Sequence, residues 1–128
     1  MGDSPGLSKP AESIEALRDA YKSSSVFLNT SIHSPVPTVL MEAMACGCAV
    51  VSTDNCMIPE IIEHGVNGLL ANTAEELRKN CTYLLKNPEK ARELGENARR
   101  TIEEKFNLQR FTDNWNNLFF KVIDNYRK

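Results

Sequence analysis

Residues Val26–Thr53 read VFLNTSIHSPVPTVLMEAMACGCAVVST, and this stretch decides the fold. Val26–Thr30 is a short β-prone run, too apolar for a half-exposed strand, so it predicts a strand covered on both faces. Ser31–Pro37 holds Pro35 and Pro37 and reads as a loop. Thr38–Cys46 follows as a helix. Pro37 stands at its start, where a missing N–H costs nothing, and Gly47 supplies the stop. Cys48–Thr53 is a second buried strand. Strand, helix, strand is the rhythm of a parallel α/β sheet.

Working outward, a helix is expected from about Ala11 to Ser23, with Ile14, Leu17, Ala20 and Tyr21 on one face. Residues 1–10, with Gly2, Pro5, Gly6 and Pro10, have the composition of a linker or a truncated end. Downstream, Asp54–Pro59 is a loop, Pro59–Glu63 a short helical turn, and Leu69–Ala71 a third strand. Asn72 or Thr73 caps a helix with Glu75 and Glu76 in its first turn. Asn87-Pro88 breaks it, and a further helix runs from about Glu89 to Lys105. The last helix, about Leu108 to Arg127, carries a broad apolar face that includes Phe111, Trp115, Leu118, Phe119 and Val122. Helical spacing accounts for that stripe as core, so these residues are expected to be buried. Three visible strands are about half of a doubly wound sheet, which predicts the second half of a Rossmann-like domain over residues 11–105. Residues 106–128 follow as a helical C-terminal tail.

A chain of 128 residues fits one domain. Its net charge of −2 gives no warrant for nucleic-acid binding. No apolar run approaches the roughly 20 residues that span a bilayer, and the opening residues lack a signal-peptide pattern. Cys46, Cys48, Cys56 and Cys81 match neither a CxxC motif nor, with His33 and His64, a zinc framework. They read as small apolar residues in a reducing compartment, which predicts a cytoplasmic protein with no metal site and no cofactor.

In open α/β sheets, ligands sit beyond the C-terminal strand ends at the switch point. If Val26–Thr30 borders that point, the helix after it aims free N–H groups and a positive dipole end into the crevice, an arrangement suited to phosphate. Thr38 and Val39 are the expected donors. Glu42 lies one turn further in, flanked by Leu40, Met41, Ala43 and Met44. A lone acid on so apolar a helix is seldom there for solubility. Its carboxylate could accept paired hydrogen bonds from vicinal hydroxyls such as those of a ribose. It is expected to face the crevice, partly buried, with no Lys or Arg partner. Most such helix starts in α/β proteins bind nothing, and His33 reads more simply as a loop residue.

Ser31–Thr53 resembles the signature of glycosyltransferase family 4, a retaining family of the GT-B fold. That signature runs Glu-Gly-Phe-(Gly/Pro)-x-x-x-x-Glu-Ala-Met-Ala-x-Gly-x-Pro-Val-Val. The resemblance continues through Ile58–Ile62, Gly65–Leu70 and Lys105–Asn107. It implies the C-terminal, donor-binding domain of a GT-B enzyme that takes a nucleotide-diphosphate sugar. It implies that Glu42 holds the donor ribose, as the second acid of a Glu-x7-Glu motif. Thr38 and Val39 would then lie near the diphosphate, and Ser34, Pro35 and Val36 beside the sugar. Four positions depart from the family: Ser34 replaces the first acid, Cys56-Met57 replaces a Gly-Gly pair, and Ala49 replaces a proline. The family's basic phosphate ligands and its N-terminal acceptor domain do not match any part of this chain, which is therefore expected to be inactive alone. A non-catalytic sugar-nucleotide-binding or interaction module, either a relic or a subunit needing a partner chain, is the alternative. A receiver-like domain is disfavoured because no acidic cluster follows the first strand.

Overall fold

Ser13 opens the first helix by accepting a hydrogen bond on its hydroxyl from the Ala16 N–H (3.1 Å). The computed structural model describes residues 11–35 and 37–127. The linker expected at residues 1–10 and the site residue Val36 lie outside them. The elements in chain order are α1 (Ile14–Ser23), β1 (Val26–Asn29), α2 (Thr38–Ala45), β2 (Ala49–Thr53) and α3 (Ile58–Ile61). They continue with β3 (Leu69–Ala71), α4 (Ala74–Lys86), α5 (Pro88–Lys105) and α6 (Leu108–Tyr126). The strands form one parallel sheet in the order β1-β2-β3. Val26 pairs with Ala49, and Val51 pairs with Leu69. This is the expected α/β fold, a partial Rossmann-like sheet with a helical C-terminal region.

The alternation of β2 divides the core. Val50 joins Leu40, Ala43, Met44 and Ile58 on the α2 side. Ala49 and Val51 join Leu77, Leu84 and Leu94 on the α4 side. α5 serves both faces, with Ala98 on the first and Ala91 and Leu94 on the second. Between them, Gly95 lies against the turn that joins α2 to β2. That turn is a Schellman motif. Gly47 sits at φ +80°, its N–H donates to Met44 O (2.9 Å), and the Cys48 N–H donates to Ala43 O (3.0 Å). α4 begins with a capping box between Thr73 and Glu76.

Two expectations fail here. β1 is not covered on both faces, since Leu28 is 46% exposed; among the described residues the strand also forms one edge of the sheet. Apolar composition shows that a strand can be covered, not that this chain supplies the cover. The second failure is α6, which has no buried residue. Phe111, Trp115, Leu118, Phe119 and Val122 are all exposed, Trp115 at 45%. α6 makes no extended contact with any other element. Its aromatics meet one another instead, Phe111 against Trp115 at 6.2 Å and Trp115 against Phe119 at 5.5 Å between ring centres. Truncating Trp115 to Ala in this chain should therefore cost less than about 1 kcal/mol, as for other exposed positions. Urea unfolding checks it; a loss of about 3 kcal/mol or more, typical of a buried tryptophan, would contradict the exposed helix.

Candidate functional site

The loop after β1 is held by buried polar groups. Asn29 is 5% exposed at the end of the strand. Its Nδ2 donates to Ser52 Oγ (2.9 Å), and its Oδ1 accepts from the Ser31 N–H (3.3 Å). The Ser31 carbonyl accepts from Thr53 Oγ1 (2.6 Å) and from Asn55 Nδ2 (2.8 Å). Further along, the Pro35 carbonyl accepts from the Met57 N–H (3.2 Å). The loops at the C-terminal ends of β1 and β2 are thus tied into one rim. Asn55 Oδ1 is buried beneath it with no partner among the described residues. Cys56 sits in this rim at φ +48°, the left-handed region that a glycine enters freely and a side chain enters at a cost of about 1 kcal/mol.

α2 starts at this rim. Pro37 is its N-cap and makes no side-chain cap bond, and no acid lies in its first turn. Each other described helix has a side-chain cap, an acid in its first turn, or both. The Leu40 N–H turns back to Pro37 O (3.0 Å). No partner for the N–H of Thr38 or Val39 is found among the described residues. The positive end of the α2 dipole is therefore left unneutralised by nearby side chains.

α2 buries Leu40, Ala43 and Met44 and exposes Thr38, Val39, Glu42 and Ala45 as one stripe. Three of the residues singled out in the sequence thus share one helix face. Ser34 is half-buried and Pro35 exposed in the preceding loop. Glu42 is exposed rather than partly buried, and it leans toward α1. Its Oε2 accepts from the Tyr21 hydroxyl at 3.1 Å. The two border a groove of about 340 Å³ between α1 and α2, whose other walls include Ile14, Leu17, Ala45 and Cys46. Arg18 lies on the same groove, but its guanidinium pairs with Asp19. Glu42 has no Lys or Arg partner among the described residues. Burial, then the hydrogen bond to Glu42, push the Tyr21 phenol up to about 12, so it stays a donor at neutral pH.

Sequence reasoning missed Tyr21, reading it only as part of an apolar face. The available signal was chemical: a buried phenol needs a polar partner. It also missed Asn29, Thr53 and Asn55, polar residues at strand ends whose side chains fix the loop. Among the described residues no group of three or more potential ligands is placed to hold a metal ion. No helix there is long and apolar enough to cross a membrane.

Comparison with known proteins adds to this geometry. The family described as glycosyl transferases group 1 matches residues 10–101. Alpha-maltose-1-phosphate synthase of Mycolicibacterium smegmatis is 32% identical over 120 residues, which span 88% of this chain and 29% of that protein. The sucrose-phosphate synthase structure from Thermosynechococcus elongatus superposes with a TM-score of 0.77 at 26% identity, covering 82% of this chain and 27% of that one. The S. aureus TarM structure, a complex that includes UDP, gives a TM-score of 0.74 at 25% identity, covering 81% of this chain and 22% of that one. The chain thus spans less than a third of the length of each of these three proteins.

Proposed function

Because the chain belongs to the glycosyl transferases group 1 family, as the C-terminal domain of a GT-B glycosyltransferase, we propose that it binds a nucleotide-diphosphate sugar at the N-terminus of α2. The carrying observation is that α2 alone among the described helices has neither a side-chain cap nor a first-turn acid. In this reading the Thr38 and Val39 N–H groups and the Thr38 hydroxyl receive the diphosphate. Glu42 accepts from the ribose hydroxyls, and Ser34, Pro35 and Val36 border the sugar. The UDP in the S. aureus relative is a ligand of the required kind.

The chemistry that follows is electrostatic. As the sugar–phosphate bond breaks, negative charge grows on the leaving diphosphate and positive charge on the sugar. Fixed N–H dipoles aimed at the diphosphate stabilise that charge without reorganising. The remaining neutralisation falls to basic residues in the rest of the full-length protein, together with an N-terminal domain that binds the acceptor. The short span of this chain within its relatives supports that division. Residues 11–105 form the donor-binding unit, and residues 106–128 form a strap whose apolar face docks on the remainder of the protein. The protein acts in the cytoplasm, where nucleotide sugars are found. Ser34 favours a second reading, binding without transfer, because a neutral hydroxyl stands where the family resemblance places an acid.

The test is to incubate the full-length protein with UDP-, GDP- and ADP-linked α-glucose and N-acetylglucosamine, each beside a panel of hydroxyl-bearing acceptors (sugars, sugar phosphates and hydroxy acids), and follow products by proton NMR. Transfer that keeps the α configuration is expected, and this chain alone should give none. An inverted product, or robust transfer by the purified chain alone, would contradict the proposal. Binding without transfer by the full-length protein would establish the second reading.

A further inference from the structure

The Glu42 carboxylate is exposed on a side chain with several free rotors, and a carboxylate that must meet two hydroxyls together has to be held in one plane. Ordering such a side chain on binding costs rotamer freedom. Tyr21 is placed to remove that cost in advance. The residue is 6% exposed, and its ring rests edge-on against Phe27, with centroids 5.8 Å apart at 66°. Its backbone carbonyl accepts from Cys48 Sγ (2.8 Å) and from the Ser24 N–H (3.1 Å). The phenol is thus carried by a fixed ring on a fixed segment, and a carboxylate can only accept from it. The hydroxyl donates to Oε2 and leaves Oε1 without a partner among the described residues, on a side chain that lines the groove between α1 and α2. Arg18 does not compete for these oxygens, since it turns to Asp19.

We propose that Tyr21 is a positioning residue that pre-orients Glu42 for the vicinal hydroxyls of a ribose, so that discrimination between ribose and deoxyribose depends on the Tyr21–Glu42 pair. This rests on the reading that Glu42 holds the donor ribose. Tyr21 itself touches no ligand. Its loss acts only through the carboxylate, which becomes free to sample other rotamers.

The test uses calorimetry on the full-length protein with UDP, GDP and ADP, each beside its 2′-deoxy counterpart. The readout is the ratio of the two affinities, for wild type, Tyr21→Phe, Glu42→Gln and the double variant. Phenylalanine keeps the packed ring and removes only the hydroxyl, and thermal unfolding of each variant reports the fold separately. The expected result is a wild-type preference for the ribonucleotide that Glu42→Gln abolishes. Tyr21→Phe should reduce that preference by about three- to tenfold and have no further effect in the Glu42→Gln background. If Glu42→Gln abolishes the preference but Tyr21→Phe leaves it intact, the positioning role is overturned and the ribose reading stands. Equal weakening of both nucleotides by Tyr21→Phe assigns Tyr21 a structural role and also overturns the proposal. A wild-type protein without the preference, or with none of the nucleotides bound, overturns the ribose reading itself.

Discussion

Gly95→Ala should strongly destabilise the fold, although it replaces the poorer helix former with the best one. Alanine gains roughly 1 kcal/mol of helix propensity over glycine in a helix interior. Against this, a Cβ at position 95 would lie 2.1 Å from the Gly47 carbonyl oxygen and 3.0 Å from its carbon. Those atoms are backbone and have no rotamer to change. They also belong to the Schellman turn that ends α2 and sets the start of β2. α5 would have to move away from both α2 and β2, opening the contacts of Ala91, Leu94 and Ala98 on the two faces of the sheet. Overpacking of a well-filled core costs typically about 1–3 kcal/mol and more where the neighbours cannot yield. A net loss of at least about 3 kcal/mol is expected, out of the roughly 5–15 kcal/mol usual for a domain. Urea unfolding of wild type and variant measures it. Stability equal to wild type would mean that α5 does not lie on the α2–β2 turn.

The sheet was legible because its punctuation is chemical. Pro37 and Gly47 bracket α2, the apolar run at 48–53 reads as a buried strand, and a cap at Asn72 or Thr73 with Glu75 and Glu76 after it marks the start of α4. Element ends moved by only a few residues, as at α1, which starts at Ser13's cap rather than near Ala11. What could not be read were relations between distant positions. An amphipathic pattern states that α6 has a face to cover, and it is silent about whether the cover lies on the same chain. The same holds for Leu28, an apolar residue on an edge strand. The Tyr21–Glu42 bond joins residues 21 positions apart on neighbouring helices, so it depends on how α1 and α2 sit side by side. The rim held by Asn29, Thr53 and Asn55 likewise arises only once β1 and β2 are paired in register. Of the candidate site, sequence reasoning named Thr38, Val39 and Glu42, which share one helix face, and missed the Tyr21 hydrogen bond to Glu42 and the polar rim.

Glu42→Gln is the second large effect expected, and it falls on ligand affinity rather than stability. The carboxylate is exposed and forms no ion pair among the described residues, so the fold should not depend on its charge. Its one hydrogen bond, from Tyr21, can be accepted by the amide oxygen of glutamine. A bound ribose is different. Hydrogen bonds to a charged acceptor are worth about 1.5–3 kcal/mol each, and a neutral amide oxygen keeps only part of that. Losing about 1.4 kcal/mol or more is a tenfold or larger fall in affinity. Ser34→Ala removes a neutral hydroxyl, worth about 0.5–1.5 kcal/mol, and should do less.

In the proposed function, the helix face headed by Thr38 and carrying Glu42 receives a nucleotide-diphosphate sugar. Its most direct test is calorimetric titration of the full-length protein, wild type, Glu42→Gln and Ser34→Ala, with UDP-, GDP- and ADP-linked sugars, beside thermal unfolding of each. Wild type should bind at least one of these donors. Glu42→Gln should bind that donor about tenfold or more weakly at unchanged unfolding temperature, with Ser34→Ala between the two. Glu42→Gln binding as tightly as wild type, or wild type binding none of the donors, would contradict it.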